Sequence, residues 1–407
     1  MALPVRSPLL RDVLEEHLEE LAFLWGLRRE GLSSPGQTRA GLARIEARVL
    51  AHADGLALAR GELLDLVSPG LFSDDPAAAF AAAFALLRAG RGGGSAVLEA
   101  FRASKGGGRE GLAEALAHGD SRETRDGLAE CAVSADAGLA VAAATALALK
   151  GAPGLPDRIE DRLVDDADPA VRAAAWRLAA LLREAPRPEP LRRALGDPDA
   201  AVALEAATAA AWFALPAALE ACRTRGVAGG VDAGDWLYLR AVLGTAGDRP
   251  EVIAAAEDRA GAGAGAAGPR ALGALGHPRA VEALLGMMGD ADASRAVAAG
   301  RAFAKVTGLD AEEGRAPGAD GATDGDELDG DALPDAASAG AAWQKVRGAF
   351  AGGERWCRGI DVSAGAPGEL PGDLDTESIR EIRLRGRFTG TWTGSAAALL
   401  RMMPAED

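Results

Sequence analysis

Asp168-Pro169-Ala170-Val171-Arg172-Ala173-Ala174-Ala175-Trp176 is the stretch that decides the fold. An acidic residue and a proline open a run of small apolar side chains, and the phrase has copies on both sides. Asp136-Ala137-Gly138-Leu139 precedes it and Asp199-Ala200-Ala201-Val202 follows it, with the aspartates 32 and 31 residues apart. A fixed period of this size means stacked helical hairpins. The aspartate acts locally. Its carboxylate accepts hydrogen bonds from the free N–H groups of the next helix, and its charge suits that helix end. Pro169 sits just inside the start, where its missing N–H costs nothing. The phrase therefore predicts an all-α fold, an α-solenoid whose hairpins each touch only their neighbours.

Working outward, the array runs over residues 110–309. Late units are less regular: Gly276-His277-Pro278-Arg279-Ala280-Val281 opens one helix, and Asp290-Ala291-Asp292 opens the next. Residues 1–109 read as an N-terminal helical region. Val13, Leu14, Leu18, Leu21, Leu24 and Trp25 keep helical spacing opposite Glu15, Glu16, Glu19 and Glu20. A second helix follows with Leu42, Ile45, Val49 and Leu56 on one face, and a third starts after Ser73-Asp74-Asp75-Pro76. Residues 310–335 hold ten acidic residues and one arginine, with few apolar side chains, and predict a disordered acidic linker. Residues 336–407 form a C-terminal tail region. Residues 341–350 read as helix, whereas Ile382, Leu384, Gly386, Phe388, Gly390 and Trp392 alternate with Arg383, Arg385, Arg387, Thr389 and Thr391, a strand signal.

Composition narrows the function. The apolar content is mostly Ala and Leu, which favours helix over strand. The formal net charge is −16, against the basic face that phosphate neutralisation requires, so no nucleic-acid partner is expected. Cys131, Cys222 and Cys357 are few, odd in number and far apart, as in a reducing compartment. No signal-peptide core and no membrane-spanning run is legible, which predicts a cytoplasmic protein.

The candidate sites are weak. The histidines His17, His52, His118 and His277 lack metal-ligand spacing; His17 lies among Glu16 and Glu20, but a solvated acidic helix face explains that run. Gly263-Ala264-Gly265-Ala266-Ala267-Gly268 matches the dinucleotide fingerprint, yet the segment before it reads as helix where that motif needs a strand. In the acidic stretch from Asp324, Leu328 and Asp335 fall where a calcium loop requires an acidic ligand and glutamate. No metal, cofactor or catalytic residue is assigned, and no enzyme is expected. Arg172, Trp176 and Arg183 share a helical face beside the Val171, Ala174, Ala175, Leu178 and Leu182 stripe. Trp and Arg are favoured anchors for a protein partner, so these three are the candidate partner-binding residues. Packing of Trp176 between hairpins is the competing reading.

The array resembles HEAT repeats, a resemblance carried by Asp168-Pro169-Ala170-Val171-Arg172. In such arrays the second helix of each hairpin lines the concave face, which implies that Arg172 and Trp176 look into the groove. Over residues 12–360 the chain is also similar to an uncharacterised bacterial HEAT-repeat family, some members of which accompany type VI secretion genes. Val13-Leu14-Glu15-Glu16-His17, Ala22-Phe23-Leu24-Trp25, Arg44-Ile45-Glu46-Ala47-Arg48 and Ala51-His52-Ala53-Asp54-Gly55-Leu56 carry this. So do Gly300-Arg301-Ala302-Phe303, Val306-Thr307-Gly308-Leu309, Trp343 and residues 352–359. From residue 361 on, the Arg/Thr/Gly stretch departs from the alanine-rich helix of that pattern. The resemblance implies no catalytic residues. Together these readings lead to a non-enzymatic scaffold or adaptor that binds a protein partner, with a secretion-associated assembly as its setting. The alternative is a HEAT-like enzyme of the DNA glycosylase kind, which needs a basic groove.

Overall fold

The aspartates act as the spacing requires. Asp75, Asp136, Asp168, Asp199 and Asp292 each accept a hydrogen bond from a backbone N–H two or three residues on, at 2.9–3.1 Å, and a helix follows each of them. His277 caps in the same way with its ring, as Nδ1 accepts from the Arg279 N–H at 3.0 Å. The computed structural model describes residues 8–59, 62–90, 92–119, 122–151, 155, 158–226, 232–309, 311, 333–363, 370 and 374–402. Of the acidic stretch 310–335, only Ala311 and residues 333–335 belong to these, so the expected linker lies outside the described residues.

Among the described residues the chain is all-α apart from one short hairpin. It divides into two compact units, Met1–Ala209 with Ser395–Asp407, and Ala210–Gly394. In the first, α1 (Pro8–Gly31) and α2 (Arg39–Ala57) form a hairpin against α4 (Pro76–Ala89). Helices α4, α6 (Gly106–His118), α8 (Ala137–Lys150) and α10 (Pro169–Leu181) pack side by side as one row. Helices α3 (Leu63–Leu71), α5 (Gly93–Ala103) and α7 (Arg122–Ala132) form a second row. The short α9 (Ile159–Leu163) packs on α8 and α10, and α11 (Pro188–Leu195) and α12 (Ala200–Trp212) follow.

The first row is built for close approach. Residues 79–86 of α4 are all buried, and all but Leu86 are alanine or phenylalanine. A Cβ on Gly111 would lie 2.0 Å from the Pro76 carbonyl, so only glycine lets α6 reach α4. Trp25 stacks on Phe80 with centroids 3.4 Å apart and donates to Glu114 at 2.6 Å, which locks α1 across this row. Beneath it the buried Arg28 pairs with Glu46 at 2.6 Å and donates to the Leu400 carbonyl, at the C-terminal end of α21 (Ala397–Leu400).

The second unit repeats the plan. Helices α14 (Ala233–Leu243), α16 (Ala267–Leu275) and α18 (Ala293–Thr307) pack as the inner row. Helices α13 (Ala217–Arg225), α15 (Arg249–Glu257), α17 (Pro278–Met287) and α19 (Ala336–Val346) pair with them or with one another outside it. The dinucleotide-like glycines 263–268 are the turn from α15 to α16. A Cβ on Gly263 or Gly268 would meet the Ala256 carbonyl at 2.3 or 2.2 Å, so these glycines serve close packing on the end of α15.

One expectation for the tail is overturned. Residues 382–389 belong to the helix α20 (Thr376–Thr389), not to a strand. The alternation from Ile382 masks a helical stripe that begins earlier, with Ser378, Ile379, Ile382 and Gly386 buried. Asp375 caps its start by accepting from the Ser378 N–H at 2.7 Å, and Gly390, at φ 76°, ends it. The strands lie before it: β1 (Trp356–Cys357) and β2 (Ile360–Asp361) pair antiparallel.

Candidate functional site

The three residues expected to share a binding face do not do so. Trp176 is 1 % exposed and belongs to the core of α10, which corrects its reading as an exposed anchor. Its Nε1–H is buried without an acceptor among the described residues. Arg172 is engaged locally: Nε and Nη2 donate to the two carboxylate oxygens of Asp197 at 3.0 Å each, and Nη1 donates to the carbonyls of Asp166 and Ala167 at 3.0 and 3.1 Å. It thus staples its own entry turn to the turn that starts α12. Arg183 lies exposed beyond Leu182, where the chain has left the helix for extended backbone (ψ 168°). Periodicity placed Arg183 on that face only because it assumed one more turn of helix.

The staple recurs. Arg109 forks onto Asp136 at 3.0 and 3.2 Å, and Arg223 forks onto Asp248 at 2.7 and 2.8 Å. The hydrogen bonds from Arg109 and from the Leu139 N–H, against some burial, hold Asp136 below the usual carboxylate range. Each aspartate therefore ties a hairpin to the preceding one through a planar bidentate contact that lysine could not copy.

The densest cluster of buried titratable groups was not singled out by sequence. It joins four helices of the second unit. Lys305 on α18 donates to Glu377 and Glu381 on α20, both at 2.8 Å, with all three side chains less than a tenth exposed. Arg270 on α16 donates to the other oxygen of Glu377 at 3.0 Å and lies 4.0 Å over the Tyr238 ring of α14. Burial opposes the charge on Lys305, but the pull of Glu381 and Glu377 outweighs it and lifts its pKa. Burial also pushes Glu381 up, against the pull of Lys305. Glu377 is driven up by the same burial, yet Lys305 and Arg270 together bring it below its ordinary value. Tyr238, its hydroxyl desolvated and hydrogen-bonded to Glu381, is raised well above its own. Lys305, Glu377 and Glu381 form the cluster's buried centre, and Arg270, 44 % exposed and also within 3.8 Å of Asp235, closes its solvent side. The cluster can dock α20 on the inner row and fix its register.

Nucleophile chemistry finds little purchase beside it. Burial pushes the Cys357 thiol up to about 11, and Cys222 to about 12, so both hold their protons near neutrality. His17 and His52 meet through their Nδ1 atoms at 2.9 Å, while Glu20 pairs with Arg48. No group of three metal-ligating side chains comes together among the described residues, and none of the described helices is long and apolar enough to cross a membrane. The one signal that sequence offered for the cluster was Glu377 and Glu381, four apart and just upstream of the stretch read as strand from Ile382. No protein-family model matches the chain, and no curated protein is similar to it.

Proposed function

We propose that this chain is a non-enzymatic scaffold of HEAT-like hairpins that binds a protein partner along a helical-repeat surface. The observation that supports this reading is the two-row packing inside each unit. Inner helices such as α4 and α14 are consumed by the core, and the hairpins leave outer helices such as α5, with Ser95, Glu99 and Arg102 exposed, to face solvent. A surface of successive helices suits an extended protein segment better than a small substrate. Of the residues singled out by sequence, Arg183 keeps an exposed guanidinium for such a contact. The pathway part of the proposal, a secretion-associated assembly, rests on the residues that carry the resemblance.

The test is capture of partners from native cells, followed by reconstitution of the complex from purified full chain and purified partner. Isothermal titration should give a saturable complex. Duplex DNA provides the opposing arm: tight, salt-sensitive binding of DNA, with no reconstituted protein complex, would defeat the scaffold in favour of the glycosylase-like enzyme.

A further inference from the structure

The C-terminal ends of the inner helices in the second unit converge on the segment 355–359 and on α20. Backbone N–H groups of Trp356, Arg358 and Gly359 donate to the carbonyls of Gly276, Lys305 and Val306 at 2.6–3.0 Å. Arg355 donates to Ala274 and Ala241 at 2.7 and 2.8 Å, and Arg385 donates to Val242 and Gly244 at 3.1 and 2.8 Å. Lys305, Arg355, Trp356, Glu381 and Arg385 all line one cavity of about 20 Å³ between these elements.

Among the described residues its charge does not balance. The Lys305 charge is matched within the Arg270, Glu377 and Glu381 cluster. The hydrogen bonds of Arg355 and Arg385 all go to neutral carbonyls, and neither makes an ion pair among the described residues. Glu381 attracts Arg355, and Glu354 attracts Arg385, only from beyond ion-pair distance. The C-termini of α14, α16 and α18 each offer about half a negative charge, so the three helices together answer part, but not all, of the two guanidinium charges. Arg355 is only 8 % exposed, so water does not screen the remainder. Burial, with the repulsion of Arg385, drives its pKa well below the arginine range. Among the described residues the walls thus hold two guanidinium groups whose charge is only partly answered, around a space with room for one small ion.

We propose that the cavity between Arg355 and Arg385 binds a monatomic monovalent anion of the halide class. The anion sits between the two guanidinium groups and supplies the missing negative charge. It would make the docking of the hairpin and α20 on the inner row dependent on halide.

The experiment uses the full chain. Melting in increasing sodium bromide is compared with sodium gluconate at equal ionic strength, and the bromide NMR line is followed in parallel. Halide should raise the melting temperature along a saturating curve, as expected for a ligand of the native state. Bromide should broaden on the protein and sharpen again with excess chloride. Arg385→Gln, which loses the guanidinium while leaving the Arg355 contacts, should melt alike in both salts. Crystals grown in bromide should show an anomalous peak among Arg355, Trp356 and Arg385. Equal melting of the unaltered chain in bromide and gluconate, or an unbroadened bromide line, would overturn the site. So would a halide increment that survives Arg385→Gln.

Discussion

Lys305→Met removes the cation at the centre of the buried cluster, and its cost should depend on pH in a calculable way. Glu377 keeps Arg270 at 3.0 Å, but Glu381 loses its ion pair with Lys305 and keeps the Tyr238 hydroxyl. A buried carboxylate left alone takes up a proton instead of staying charged. Its folded-state pKa, already raised by burial, then rises further above the unfolded value of roughly 4.3. A raised folded pKa means that stability is fully present below the unfolded pKa and is lost as pH rises towards the folded pKa. The loss is about 1.4 kcal/mol per pH unit, hence about 1 kcal/mol near pH 5 and about 3–4 kcal/mol near pH 7. The upper figure agrees with the roughly 3–5 kcal/mol typical of a broken buried pair. The unaltered chain shares the direction but not the size, because Lys305 restrains Glu381. Urea unfolding, followed by circular dichroism and Trp fluorescence, should therefore show the variant's deficit widening from about pH 5 to about pH 7. Adding Glu381→Gln should flatten the pH dependence and restore much of the loss near neutrality. A deficit that does not change with pH, or a double variant no better than the single one, would refute the reasoning.

Three further outcomes are expected. Trp176→Ala should cost about 3–5 kcal/mol, as a fully buried aromatic does, while Arg183→Ala leaves melting unchanged; a stable Trp176→Ala chain would contradict its burial. Arg172→Lys should be nearly as damaging as Arg172→Ala, at about 1–2 kcal/mol by thermal melting, because only the planar fork reaches both Asp197 oxygens and the turn carbonyls. His118, desolvated against Trp25 and beside the Arg28 charge, has its pKa lowered to about 3. A depressed histidine leaves stability intact above its unfolded value and withdraws it as pH falls towards the folded one. Acid unfolding should thus steepen below about pH 6.5, by about 1.4 kcal/mol per unit, and His118→Gln should remove that part of the slope.

Much of the helical plan was legible because its signals are local. The aspartates at 75, 136, 168, 199 and 292 each act on an N–H two or three residues away, and Pro76, Pro169 and Pro278 lie just inside the helices they open. Where a reading failed, one local pattern was weighed against a competitor outside its window. Ile382 to Trp392 alternates with period two, but the cap at Asp375 and the turn of stripe at Ser378 and Ile379 lie just upstream. Arg172, Trp176 and Arg183 fell on one face by arithmetic, and that arithmetic ignored the end of α10 after Leu181.

From the residues alone followed the all-α class, the hairpin period and most helix starts, since capping, glycine stops and side-chain periodicity act within a few bonds of the chain. Tertiary structure alone decided which polar groups would meet. Lys305 and Glu381 are 76 residues apart, Arg355 and Ala241 are 114 apart, and Arg385 and Val242 are 143 apart. Nothing local favours such pairs. They form because stacking the inner helices brings three C-terminal ends together, and the carbonyls and charges left there must be answered by whatever part of the chain folds over them.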